Sequence, residues 1–296
     1  MISKQTGYKI AGIVLTGVAF LILAKNADLF KSYFSSSQTQ PTVAIKHKTS
    51  NKTTNNTTNK TTNNTTNKTQ KNNSSFDFSK TIKKYKSLPA SSVVNVKNFK
   101  SKHLKQLFFI SNISDDIYSR IYGKSYKADC TVPLEELRYI RILYVGFDEK
   151  THIGELIVNK SIADDVKSIF YKLYKHNYQL EKVVLVDEYD ADDDRSMADN
   201  NTSSFNYRIV EGTTHLSKHS YGLAIDINPR YNPYIHTLNG KTVCSPSNGS
   251  DYADRNKDFP HKIDTSDYAY QLFTEYGFTW GGAWNSSKDY QHFQKE

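Results

Sequence analysis

The spacing of apolar positions divides the chain into three stretches of different character. Residues 10–24, IAGIVLTGVAFLILA, form an uncharged apolar run preceded by Lys4 and Lys9. The run suits the ~7–15 residues of a signal-peptide core. It is shorter than the ~20 residues that span a bilayer comfortably, although tilt and snorkelling lysines accommodate a short span. Residues 1–34 are therefore expected to be a signal peptide or a signal anchor, and either would export the rest of the chain. Residues 35–75 hold few apolar side chains and include the period-eight repeat NKTTNNTT. A segment so polar cannot offset its ordering entropy, so a disordered linker is expected there. From Phe76 the apolar content returns, and 76–296 is expected to be the folded domain.

Inside that domain the periods change from element to element. FFISNISDDIYSRIYG includes a helix. Ser161 to Tyr174 places Ile162, Val166, Ile169, Phe170 and Leu173 on one helical face, with Ser161 as the N-cap. Pro133 to Tyr144 starts helical and ends strand-like, and Ile153 to Val158 alternates as a strand does. Val183 to Val186 reads as a short apolar strand, and the polar, acidic residues 187–206 read as a long loop. A strand at Leu223–Ile227, a helix at Tyr268–Tyr276 and a last strand near Gln291–Phe293 complete the pattern. Helices and strands mixed without regular alternation predict an α+β fold.

Charge sharpens this division. The formal net charge is +9. Residues 41–105 hold fourteen lysines against Asp77 alone, and residues 1–40 four lysines against one Asp, so 106–296 carries −7. The protein reads as an acidic body on a basic stalk. Such a stalk suits an anionic wall polymer or a membrane surface, or serves only as a solvated spacer. No specific nucleic-acid partner is expected, and the chain is expected to act as a monomer. The two cysteines, Cys130 and Cys244, are not in a Cys-x-x-Cys pair, which argues against a cysteine metal site and leaves a disulfide open.

Two stretches carry candidate chemistry. In Ser217-Lys218-His219-Ser220-Tyr221-Gly222-Leu223-Ala224-Ile225-Asp226-Ile227, period two sends Leu223, Ile225 and Ile227 to one face. Gly222, Ala224 and Asp226 take the other, which leaves room beside the carboxylate, and His219 precedes the strand. Near the C-terminus, Asp289 stands three residues before His292. A hydrolytic zinc site needs three His or carboxylate ligands and an open position. His219, Asp226 and His292 give that count, and Asp289 is the candidate general base. Spacing alone does not separate such a site from unrelated polar residues.

The pattern Ser-x-His-x-x-Gly-x-Ala-x-Asp, with Asp-x-x-His-Phe far downstream, resembles the zinc D-alanyl-D-alanine carboxypeptidases. That family includes L-alanyl-D-glutamate endopeptidases. The likeness runs over 115–296 and includes Gly154-Glu155-Leu156, Ser196-Met197, the Asn200–Asn206 run, Ile227-Asn228-Pro229, Asn232-Pro233-Tyr234 and Trp280-Gly281-Gly282. It implies a small, mainly antiparallel sheet flanked by helices around a zinc cleft. It also implies one Zn2+ held by His219, Asp226 and His292, Asp289 as base, and Arg208 as the cation that stabilises the oxyanion. Ser217, Trp280 and Trp284 become candidate substrate contacts, although tryptophans serve equally as core. The implied substrates are peptidoglycan stem peptides. The activities in view are D-alanyl-D-alanine carboxypeptidase, L,D-peptidase and L-Ala-D-Glu endopeptidase. A non-catalytic zinc module that binds the wall is the alternative, and an envelope protein working through its stalk is another. The presence of Asp289 and Arg208 favours an enzyme, since a binding module needs no base.

Overall fold

Asp77 begins the part of the chain that the computed structural model describes, residues 77–211 and 213–296. The expected signal segment and linker, 1–34 and 35–75, lie outside the described residues. Among the described residues no helix is long and apolar enough to cross a membrane. In chain order the main helices are α1 (Phe78–Lys86), α2 (Ser101–Leu104), α3 (Asp115–Ile121), α4 (Ala163–Lys175), α5 (Asp193–Ala198) and α6 (Tyr268–Glu275). The strands are β1 (Phe109–Ser111), β2 (Leu137–Val145), β3 (Thr151–Asn159), β4 (Ala224–Asp226), β5 (Tyr234–Leu238), β6 (Lys241–Ser245), β7 (Thr279–Trp280), β8 (Lys288–Asp289) and β9 (His292–Gln294). They form three three-stranded antiparallel sheets, ordered β1-β2-β3, β4-β9-β7 and β6-β5-β8. This is an α+β arrangement of small antiparallel sheets and helices.

The apolar stripe of α4 does what its spacing predicts. Val166, Ile169, Phe170 and Leu173 are buried and α4 packs on β2. Ser161 is not its cap: Ile162 holds that position without a side-chain bond, and the Ser161 hydroxyl donates to Asn159 Oδ1. The hairpin β2–β3 is covered on both faces, so Ile153 to Val158 are all buried instead of alternating with solvent. Leu156 and Val158 join the main core, and Ile157 joins a second cluster with Ile121, Leu137 and Phe205.

Two expectations fail here. Val183 to Val186 is extended at first but forms no strand: the Val183 carbonyl accepts from Glu155 N, and Val184 and the residues before it lean on side chains. Asn201 donates to the Val184 carbonyl and accepts its N–H, and Asn228 donates to the Gln179 carbonyl and accepts the Glu181 N–H. Buried amides stand where a neighbouring strand would. The segment 187–206, expected as a loop, holds a 3-10 turn at Val186–Tyr189 and α5, and then runs buried through Asn200–Asn206.

The cross-strand pairing of β4 with β9 sets the site. Ile225 faces Phe293 and Asp226 faces His292 in register. Ile225 and Phe293 are fully buried, and Phe293 stacks on Phe273 of α6 with ring centroids 4.4 Å apart. Burying a side chain of this size stabilises by about 1.5–3 kcal/mol. A one-residue slip would exchange the core and site faces, so this packing fixes the register of the site. Cys130 and Cys244 are both free thiols, each half-buried.

Candidate active site

His219 sits on a single 3-10 turn, Lys218–Tyr221. Ser217 caps it by accepting the His219 N–H at 3.2 Å. The turn ends at Gly222, where φ is +66° and an added Cβ would lie 2.6 Å from the Asn159 amide nitrogen. Only glycine meets both conditions. The imidazole then points inward. Its Nδ1 lies 2.6 Å from the Ser204 carbonyl, which only accepts, so Nδ1–H donates and Nε2 faces the centre. That Nε2 is 3.2 Å from Asp226 Oδ2 and 3.2 Å from His292 Nδ1. His292 Nδ1 is 3.1 Å from Asp226 Oδ1, and its other nitrogen, Nε2, meets Gln294 Oε1 at 2.9 Å. The ligand atoms of His219, Asp226 and His292 all lie within 4.8 Å of one another, and all three residues are buried.

This donor set fits a cation. With both outer nitrogens donating, the two neutral rings turn lone pairs toward a carboxylate, and three acceptors meet with no proton among them. The cluster therefore requires a positive charge. Burial opposes charge on His292, but its bond to Asp226 and the charges of Asp226 and Asp289 hold its pKa up to about 9. Burial likewise disfavours the Asp226 carboxylate, yet His219 and His292 keep it well below the usual range. In the metal-free protein a proton supplies the charge, and a divalent ion would displace it.

Asp289 borders the same cleft, which measures about 480 Å³ and is also lined by His219, Asp226, His292, Arg208 and Trp284. β8 pairs with β5, setting Asp289 opposite Tyr234. Its Oδ1 is buried without a hydrogen-bond partner. Burial pushes its carboxyl up to about 7, the charge of Asp226 adds to this, and His292 opposes it. Arg208 also lines the cleft, where Asp193 holds its guanidinium at 2.6 Å and its Nε has no partner. Ser217 lines the cleft while serving as the cap of the His219 turn. Trp284 also lines it, with its ring 5.3 Å from that of His292. Trp280 does not reach it: the indole is in the core beside Tyr270, and its N–H donates to the Tyr290 carbonyl.

Residues outside the sequence-predicted set complete the site. Ser204 and Gln294 hold the outer nitrogens of the two histidines. Gln294 shares a strand face with His292 at a spacing of two, which was the available signal. The hairpin β5–β6, which carries Tyr234, turns at Asn239-Gly240, both at positive φ, and that dipeptide marks hairpins. Part of the stretch expected to be a long acidic loop forms the cleft wall: Asp192 caps α5 and Asp193 binds Arg208.

Two imidazoles and a carboxylate with ligand atoms within 4.8 Å of one another, beside a further buried carboxyl on the same cleft, form a group that could hold a metal ion. Residues 211–295 match the family model described as D-alanyl-D-alanine carboxypeptidase. The matched segment contains His219, Asp226, Asp289 and His292; Arg208 precedes it. No curated protein and no solved structure matches the chain.

Proposed function

We propose that this protein is a zinc-dependent peptidoglycan peptidase that acts as a D-alanyl-D-alanine carboxypeptidase on stem peptides outside the membrane. The observation that carries the reading is the convergence of His219, Asp226 and His292, each outer imidazole nitrogen already bonded, beside the buried Asp289 carboxyl, whose Oδ1 has no hydrogen-bond partner. His219 Nε2, His292 Nδ1 and the Asp226 carboxylate would hold the ion. When bound, zinc supplies Lewis-acid polarisation of the scissile carbonyl and draws the pKa of water at its open position toward about 7. Asp289 accepts the proton of the attacking water and returns it to the leaving amine. Its burial suits it to both roles, because a carboxyl raised toward neutrality gives a proton back readily. The Arg208 guanidinium, anchored by Asp193, stabilises the oxyanion through its remaining N–H groups. Trp284 offers an apolar wall beside His292. The apolar run at 10–24, expected to export the domain, is consistent with a substrate in the wall.

The test is digestion of stem pentapeptides and of purified peptidoglycan, with products weighed by mass spectrometry. The expected product is free D-alanine, abolished by chelation and restored by zinc. Asp289→Asn is expected to lower kcat by about 10²–10⁴-fold with zinc still bound. Wild-type turnover by that variant would remove the base assignment. Cleavage between internal residues, without free D-alanine, would replace the carboxypeptidase with an endopeptidase.

A further inference from the structure

His292 has a second hydrogen-bond partner, and that partner is itself held. The Gln294 amide oxygen lies 2.9 Å from His292 Nε2. The amide nitrogen of Gln294 donates to Glu296 Oε1 at 3.4 Å, and Glu296 Oε2 accepts from Lys218 Nζ at 2.6 Å. A carboxylate only accepts, so the amide has to turn its NH2 toward Glu296 and its oxygen toward His292. An amide oxygen in turn requires the proton on Nε2, which leaves the lone pair on Nδ1, the atom facing Asp226 and His219. Lys218 is the neighbour of His219, so the chain of bonds links the two histidine-bearing segments around the outside of the site.

We infer that Gln294, oriented by Glu296 and Lys218, is a positioning residue that fixes the tautomer and ring orientation of His292 and so presents Nδ1 to the metal. The inference rests on the proposed zinc site. It differs from a packing role in what it demands of residue 294, namely an acceptor at that point and not merely a side chain of similar size. Partners of this kind are worth about 10–100-fold in metal affinity.

The experiment measures zinc affinity of the full chain by competition with a chromophoric chelator, and the visible spectrum of the Co2+-loaded protein. Gln294→Leu is expected to lose about 10–100-fold in zinc affinity and to shift the Co2+ bands. Gln294→Glu keeps an acceptor there and is expected to bind zinc at least as tightly as wild type. Glu296→Ala, at an exposed position, is expected to lose affinity by less than Gln294→Leu. Wild-type affinity and spectrum in Gln294→Leu would overturn the inference and leave the metal site standing. Failure of Gln294→Glu to restore binding, in a protein that melts as wild type does, would overturn it too. Should Gln294→Leu not fold, Gln294→Glu and Glu296→Ala decide between the same outcomes. A wild-type chain that binds no zinc would bring down the proposed function, and this inference with it.

Discussion

An ideal Cβ on Gly281 would lie 2.7 Å from the Asp289 carbonyl oxygen, 2.8 Å from the Asp289 Cβ and 3.3 Å from the His292 Cβ. The first is a backbone atom of β8, so no side-chain rotation relieves the contact. Gly281 thus lets the end of β7 press against both the proposed base and a proposed ligand, and a methyl group there would push one of them away. Displacements of about 1 Å at a reacting group cost of order 10²-fold in rate. Gly281→Ala is accordingly expected to lower kcat/KM on a stem peptide by at least about tenfold, with weaker zinc binding. Steady-state kinetics with a zinc titration checks this, and an active, fully loaded Gly281→Ala would show that the strand yields without moving the site. The Trp280-Gly281-Gly282 motif was legible in the sequence, but its meaning was not. The tryptophan, open between substrate contact and core, is core, while the glycine beside it shapes the site.

At the scale of elements, α6 carries a pH dependence separate from the metal site. Asp267 caps the helix, its Oδ1 accepting from Ala269 N at 2.8 Å, Tyr270 N at 3.2 Å and the Tyr178 hydroxyl at 3.2 Å. Burial nonetheless raises its carboxyl to about 6, with the charge of Asp264 adding to this. A carboxyl raised on folding binds its proton more tightly in the folded state. Its contribution is therefore full below about pH 4 and is lost as pH rises through about 6, an effect of up to about 3 kcal/mol. Asn also caps well and does not titrate. Melting temperatures of wild type and Asp267→Asn, compared at pH 4.5 and 7.5, are expected to converge or cross as pH rises; parallel curves would remove the effect. The same scale shows what a sequence can disclose. α4 and β4 were legible because their apolar residues repeat at the period of the element and pack on one core. Val183 to Val186 misled because Val184 pairs with the side chain of Asn201 in place of a strand, which no periodicity marks. The ligand triad could be proposed because His219, Asp226 and His292 lie on short motifs. The Ser204 carbonyl that orients His219 is backbone, and backbone roles leave no trace in composition.

For the whole molecule, the matched family segment at 211–295 is too small to explain the core it sits in. Phe273 and Phe293 beneath the site belong to a core that also contains Ile82, Val94, Phe99 and Leu107. The chain from Leu88 to Val94 extends this tie by hydrogen bonds. Ser91 N donates to the Ile153 carbonyl at 2.7 Å, Val94 N donates to the Thr151 carbonyl at 2.9 Å, and the buried Arg141 donates to the Leu88 carbonyl at 2.5 Å. Residues 77–100 are thus part of the domain, although they lie outside the family match. We propose that the folding boundary lies no later than Asp77, whose carboxylate caps α1 by accepting Lys80 N. A fragment 77–296 is expected to melt within a few degrees of the full chain. A fragment 101–296 loses Ile82, Val94 and Phe99 from the core and leaves Arg141 short of an acceptor. At about 1.5–3 kcal/mol for each buried side chain, the loss approaches the whole stability of a typical domain. That fragment is expected to be unfolded or to bind hydrophobic dye as a loosely packed state. Circular dichroism melts of the two fragments and the full chain separate the outcomes. Cooperative folding of 101–296 at the full-chain temperature would move the boundary to the C-terminal side of Phe99, and early melting of 77–296 would place it further toward the N-terminus.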